Sequence, residues 1–183
     1  MIDTLLPSEL IDAARRVIAA NRAAGRRIAL AESCTGGLVS TALTEIPGSS
    51  DVFECGYVTY SNDAKITALK VSLDVIETFG AVSVAVACSM AQGALAKSGA
   101  DVAVAITGIA GPDGGSEKKP VGTVVFARAE RGGDPDHVVA DMRHFANEGR
   151  GAIRLQAALC ALDLLMPDAQ PAPETAVEAD PLP

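Results

Sequence analysis

Tryptophan is absent from this chain, and the other aromatics amount to two Tyr and four Phe in 183 residues. A core without them has to be assembled from Ala, Val, Ile and Leu. The apolar fraction of 49% is sufficient for that and too high for a disordered chain. The same scarcity argues against a binder of single-stranded nucleic acid, which stacks bases on aromatic faces. Positive charge is also short: 15 Lys and Arg stand against 23 Asp and Glu, a formal net charge of -8. Long-range attraction to DNA, RNA or an anionic membrane is therefore not expected. An anionic small molecule would need local cations or backbone N–H groups. No apolar run reaches the about 18 residues of a membrane span, and Met1-Ile2-Asp3 does not open a basic-then-apolar leader. The four cysteines, Cys34, Cys55, Cys88 and Cys160, contain no C-x-x-C pair. Reduced thiols in a cytoplasmic protein are expected, rather than a zinc site or a disulfide framework. Walker, G-x-S-x-G and G-x-G-x-x-G motifs are missing too.

What is present is an alternation of helical and strand-like segments. Ser8 is placed to cap a helix with Leu10, Ile11, Ala14, Val17 and Ile18 on one face, ended by Gly25. Ile28 to Ala31 reads as a buried strand leading into Glu32-Ser33-Cys34-Thr35-Gly36-Gly37. A helix follows, with Leu38, Ala42, Leu43 and Ile46 on one face, broken by Pro47-Gly48. Val52 to Tyr60 is a second strand, and Ser61-Asn62-Asp63 starts a short helix carrying Lys65. Ser72 to Phe79 is helical, and Ser83 caps a longer helix of small apolar residues over 84–96, suited to the core or to an interface between copies. Asp101 to Thr107, Val121 to Ala129 and Val138 to Phe145 read as strands. Asn147 can cap a last helix with Ile153, Leu155, Ala158, Leu159, Leu162 and Leu165 inside.

Helices separate the first three strands, which should therefore be parallel. The short late connections imply antiparallel pairing. The expected fold is α/β, a three-layer α/β/α arrangement with a mixed, mostly parallel sheet of about five strands. It would occupy residues 1–166, and the segment 167–183, with five prolines and four acids, reads as a disordered tail. In such sheets ligands sit beyond the strand carboxyl ends, here the loops after Ala31, Tyr60 and Thr107.

Each of those loops carries candidate chemistry. Ser33 and Thr35 offer hydroxyls, and Gly36 and Gly37 leave backbone N–H groups that could hold a phosphate or an oxyanion. Lys65 falls in a first helical turn, where the dipole disfavours its proton, and a lysine can replace histidine as the base of a serine hydrolase. The loop from Thr107 through Gly108 and Gly111 to Ser116 could supply an oxyanion hole or clamp a substrate. Lys118 and Lys119 after it read as surface charges. Arg150 and Arg154, spaced i,i+4, share a helix face and could grip a phosphate. His137 and His144 lie on late strands, away from the expected site. A dyad of Cys34 with one of them is therefore not favoured.

Taken together, AESCTGGL at 31–38, GSSDVFECGYVTYSNDAKI at 48–66, GAVS at 80–83 and AVAITGIAGPDGGSEKKPVGTVVFA at 103–127 resemble the CinA C-terminal domain family over residues 8–166. Its stand-alone members are nicotinamide-nucleotide amidohydrolases. The resemblance implies deamidation of nicotinamide mononucleotide to nicotinic acid mononucleotide and ammonia, with neither metal nor organic cofactor. By motif position the serine nucleophile is Ser33, assisted by Lys65 and Tyr60, with Tyr60 relaying or orienting the lysine. Thr35, Gly36, Gly37, Thr107, Gly108, Gly111 and Arg150 become the substrate-binding set. The family's G-D-R before the last helix is Glu148-Gly149-Arg150 here, so the arginine is kept and its neighbours differ. Longer members carry an N-terminal molybdopterin-binding-like domain with no counterpart in these residues. Two other readings stay open at this point: a cysteine amidase using Cys34, and a nucleotide-binding module without catalysis.

Overall fold

The computed structural model describes residues 4–134 and 138–167. Most of the expected tail, from residue 168 onward, and His137 lie outside them. The elements in chain order are α1 (Ser8–Ala23), β1 (Ile28–Glu32), α2 (Leu38–Thr44), a 3₁₀ turn (Ser49–Asp51), β2 (Phe53–Val58), α3 (Asn62–Leu69), α4 (Leu73–Phe79), α5 (Val84–Lys97), β3 (Val102–Gly108), β4 (Thr123–Glu130), β5 (Val139–His144) and α6 (Arg150–Leu164). The five strands form one sheet in the order β2-β1-β3-β4-β5. The β1 strand runs parallel to both β2 and β3, whereas β3–β4 and β4–β5 are antiparallel. The expected mixed α/β/α sandwich is the fold observed.

Strand alternation divides the core unequally. Ile28, Leu30, Val102, Val104, Ile106, Val124 and Phe126 face one layer, where they pack with Leu10, Val17, Leu43, Ile153 and Leu162 of α1, α2 and α6. Their neighbours on the opposite face are mostly alanines: Ala29, Ala31, Ala103, Ala105 and Ala127, packed with Ala87, Met90, Ala91 and Ala94 of α5. The small-residue helix thus spends its small face on the sheet, the core alternative of the two expected for it. A side chain at Gly93 would meet the backbone oxygen of Leu69 at 2.1 Å, so α3 and α5 also approach closely.

The ends of some elements differ from expectation. Ser61 and Ser83 do cap α3 and α5, accepting from the N–H groups of Ala64 and Val86. Ser8, however, is already helical. The N-cap of α1 is Pro7, whose carbonyl accepts from Leu10 and Ile11. Asn147 likewise does not cap α6, whose N-cap is Gly149 at φ 100, with Arg150 as the first helical residue. Leu155 and Leu159 are only partly buried on that helix.

Candidate active site

Three strand ends meet where the sequence motifs lie, and backbone hydrogen bonds lace them together. Ser33 N–H donates to Ile106 O at 2.9 Å, tying the turn after β1 to β3, and Thr59 N–H donates to Glu32 O at 2.8 Å, tying it to the loop after β2. Gly36 N–H closes back on Ser33 O at 3.0 Å. The turn then passes through Gly36 at φ 60 and Gly37 at φ 90, a left-handed pair that side chains would strain. Ser33 thereby sits at the head of a rigid strand-to-helix turn, 8% exposed.

Lys65 comes to it from α3. The side chain is 1% exposed, and its Nζ lies 3.1 Å from Ser33 Oγ and 2.9 Å from Thr59 O. Burial lowers the lysine pKa from its ordinary value, and the negative charge that Cys34 would carry as a thiolate opposes this in part. The direction agrees with the expectation from sequence, with desolvation as the largest cause. A neutral Lys65 can donate one N–H to Thr59 O and turn its lone pair toward the Ser33 hydroxyl, which makes it a base for that proton.

Tyr60 occupies a different place from the one expected. Its ring is 60% exposed and its hydroxyl accepts from Arg150 at 2.7 Å, while Lys65 meets Ser33 directly without a relay. Arg150 also donates to Gly111 O at 2.8 Å, and Arg154 donates to Thr35 O at 2.7 Å. Both i,i+4 arginines therefore reach the strand-end loops from the first turns of α6, held by neutral oxygens.

Other expected contributors have structural work. The N–H groups at the start of α2 are not open to a ligand: those of Gly37, Val39 and Ser40 donate to the carboxylate of Glu32 at 2.8–3.2 Å. This corrects the reading of Gly36 and Gly37 as an anion cradle. Glu32, adjacent to the serine and fully buried, is the residue that sequence reasoning missed. A charged residue ending an otherwise apolar strand was the available sign. Thr107 is buried and donates its hydroxyl to Ala81 O at 2.8 Å, fastening the loop before α5. A side chain at Gly108 would meet Val124, Thr123 O and Cys34 Sγ at 2.8–3.0 Å, so packing demands this glycine. Thr35 is buried, and its hydroxyl has no hydrogen-bond partner among the described residues.

His144 is at this edge after all. Two antiparallel turns restore the strand direction, so β5 ends on the same side as β1 and β3. Its Nδ1 is 3.1 Å from Thr123 Oγ1, and β4 separates β5 from β3. Cys34 is 5% exposed, and burial raises its thiol to about 11. A thiol held protonated at neutral pH is a poor nucleophile. Cys34→Ala should consequently keep deamidation within about threefold of the parent, since it removes only a buried contact. A steady-state assay of the variant checks this, and loss of activity would make Cys34 the nucleophile.

Among the described residues no group of three or more His, Cys, Asp or Glu gathers to hold a metal. A cavity of about 780 Å³, lined in part by Leu95, Arg128, Arg131, Val139 and Leu164, opens at the opposite sheet edge, away from Ser33.

A mixed α/β/α sheet with a serine–lysine pair buried at its strand ends is the class of protein that the fold and the site define. More narrowly, the chain belongs to the CinA C-terminal domain family, whose model matches residues 11–168. It is 51% identical over 144 residues to nicotinamide-nucleotide amidohydrolase PncC of Enterobacter agglomerans, covering 79% of this chain and 85% of the relative. The protein of the same name from Escherichia coli K12 is 48% identical over 158 residues, covering 86% and 93%. Some relatives are much longer: the chain spans 26% of a CinA-like protein of Akkermansia muciniphila, with 56% identity over 108 residues, 59% of this chain. Among solved structures, the competence/damage inducible protein CihA of Agrobacterium tumefaciens superposes with a TM-score of 0.84 at 48% identity, over 88% of this chain and 96% of that one.

Proposed function

We propose that this chain is a nicotinamide-nucleotide amidohydrolase, converting nicotinamide mononucleotide to nicotinic acid mononucleotide and ammonia. The observation that carries the reading is the buried Lys65 amine 3.1 Å from Ser33 Oγ, at a site whose relatives bear that activity in their names. Lys65 takes the Ser33 proton as Oγ attacks the carboxamide carbon. The resulting ammonium returns the proton to the departing nitrogen, which leaves as ammonia. Water, deprotonated by the same amine, then cleaves the serine ester and releases the acid. No metal or organic cofactor enters this scheme.

The phosphate end is assigned to Arg150 and Arg154. They stand in the first turns of α6, where the helix dipole is already positive and cations are disfavoured. Their hydrogen bonds to Tyr60, Gly111 and Thr35 are to neutral oxygens that an anion can replace or join. Tyr60, held by Arg150 at the mouth, lines the approach. A cytoplasmic location belongs to the same proposal. No helix of the described residues is long and apolar enough to cross a membrane, and all four cysteines are free thiols, as suits a reducing compartment.

The decisive experiment incubates the protein with nicotinamide mononucleotide and measures ammonia together with nicotinic acid mononucleotide. Equimolar appearance of both supports the reading. Binding of the nucleotide without ammonia release replaces it with that of a nucleotide-binding module.

A further inference from the structure

The geometry points to Glu32 as the positioning residue that holds the Ser33 nucleophile in register with Lys65. It does so by locking the start of α2 against the strand end.

Glu32 is the last residue of β1, 0% exposed, with Ser33 next in the chain. One carboxylate oxygen, Oε2, accepts from Gly37 N–H at 3.0 Å and Val39 N–H at 3.2 Å. The other, Oε1, accepts from Ser40 N–H at 2.8 Å and the Ser40 hydroxyl at 2.6 Å. Its own backbone carbonyl accepts from Thr59 N–H, and Thr59 O in turn receives Lys65 Nζ. One residue therefore joins three things: the turn that carries the nucleophile, the helix that follows it, and the loop that anchors the base.

Four donors converge on this side chain, and all four bonds require acceptors. A carboxyl group sets an oxygen acceptor against each pair of donors. Gln has nearly the same shape and places an NH₂ group against at least one backbone N–H, so a buried donor is left facing a donor. The helix start would then shift relative to the strand end, carrying Ser33 with it. Reaction rates are sensitive to such shifts, because a displacement of about 1 Å at a reacting group costs about 100-fold. Arg150, held by Gly111 O and Tyr60 outside this turn, would stay where it is. The loss should thus fall on kcat and not on KM.

The inference deepens the serine–lysine reading and rests on it. The test compares the parent with Glu32→Gln in two assays. One is steady-state deamidation of nicotinamide mononucleotide, with kcat expressed per active site. The other is the second-order rate at which a fluorophosphonate labels Ser33, followed by intact mass, with Ser33→Ala as the unlabelled control. The expected result is a fall of about 100-fold in kcat, KM within about threefold, and a parallel slowing of labelling. A merely structural role would lower the number of folded sites and leave the rate per site unchanged. That outcome overturns the inference. If the parent labels but does not deamidate, the amidohydrolase reading fails and the labelling ratio still decides the role of Glu32. If the parent neither deamidates nor labels, both fall. Should Glu32→Gln not fold, Ser40→Ala removes the 2.6 Å donor alone. Labelling should then slow about fivefold, the worth of one ordinary hydrogen bond, and an unchanged rate overturns the inference.

Discussion

Ser33→Ala should lower kcat for deamidation by about 10⁴-fold or more, the scale seen when a hydrolase loses its nucleophile. The affinity for nicotinamide mononucleotide should stay within a few fold, because the proposed phosphate grip lies on α6 and not on the turn after β1. The substitution removes one oxygen from a nearly buried side chain and leaves Lys65 bonded to Thr59 O. The backbone bonds Ser33 N–H to Ile106 O and Gly36 N–H to Ser33 O are untouched. Folding should accordingly be preserved. The neighbouring thiol offers no rescue, since burial keeps Cys34 protonated up to about 11. Ammonia release from the purified variant checks this. Retention of more than about 1% of the parent rate would reassign the nucleophile.

Lys65→Met should be nearly as severe, with kcat down by about 10³-fold or more, because it removes the base that opens each half of the reaction. Methionine keeps the apolar stem of the lysine and falls one atom short of its length, so the loss chiefly reports the amine. Two pH measurements separate this from a packing effect. In the parent, kcat/KM should rise with pH as Lys65 loses its proton, along a limb centred below the ordinary lysine pKa of 10.5 because burial lowers it. The variant's residual activity should lack that limb.

Stability supplies the second measurement. The folded-state pKa lies below the unfolded one, so between them the unfolded chain holds more protons and stability rises with pH. Below the folded pKa the cost of burying the charge is present in full. It fades as pH climbs from the folded value toward 10.5. The Tm of the parent relative to Lys65→Met should therefore increase across that window. A constant difference would mean that the buried amine keeps its ordinary proton.

The sandwich was legible because its determinants are local. Val-Ala-Val-Ala-Ile at 102–106 alternates sharply, Gly25 and Pro47-Gly48 stop helices, and Ser61 and Ser83 cap them. The pairing of Ser33 with Lys65 was legible only through the joint motifs, because 32 residues separate them and their distance depends on β1 lying beside β2. The ends of α1 and α6 were misread for a common reason. Ser8 and Asn147 are good caps in isolation, but the chain turns at Pro7 and Gly149 instead, where the backbone conformation is already set. Glu32 escaped notice because three of its four partners are backbone N–H groups, which no residue type announces. His144 was placed at the wrong edge because the direction of β5 depends on two reversals that have to be followed in space.

The unequal faces of the sheet give this protein two different mutational histories to draw on. On the side of Leu30, Val104 and Phe126, drift toward smaller residues opens voids, and trimming a buried Leu or Phe typically costs about 2–5 kcal/mol. On the other side the sheet positions Ala29, Ala31, Ala103, Ala105 and Ala127 leave almost nothing to trim. There the damage comes from growth, about 1–3 kcal/mol for added methylenes that push α5 off the sheet. Descendants of this sequence can therefore vary the contents of one layer by exchange among large residues. The alanine positions of the other face are held near their minimum size, which keeps α5 close against the sheet.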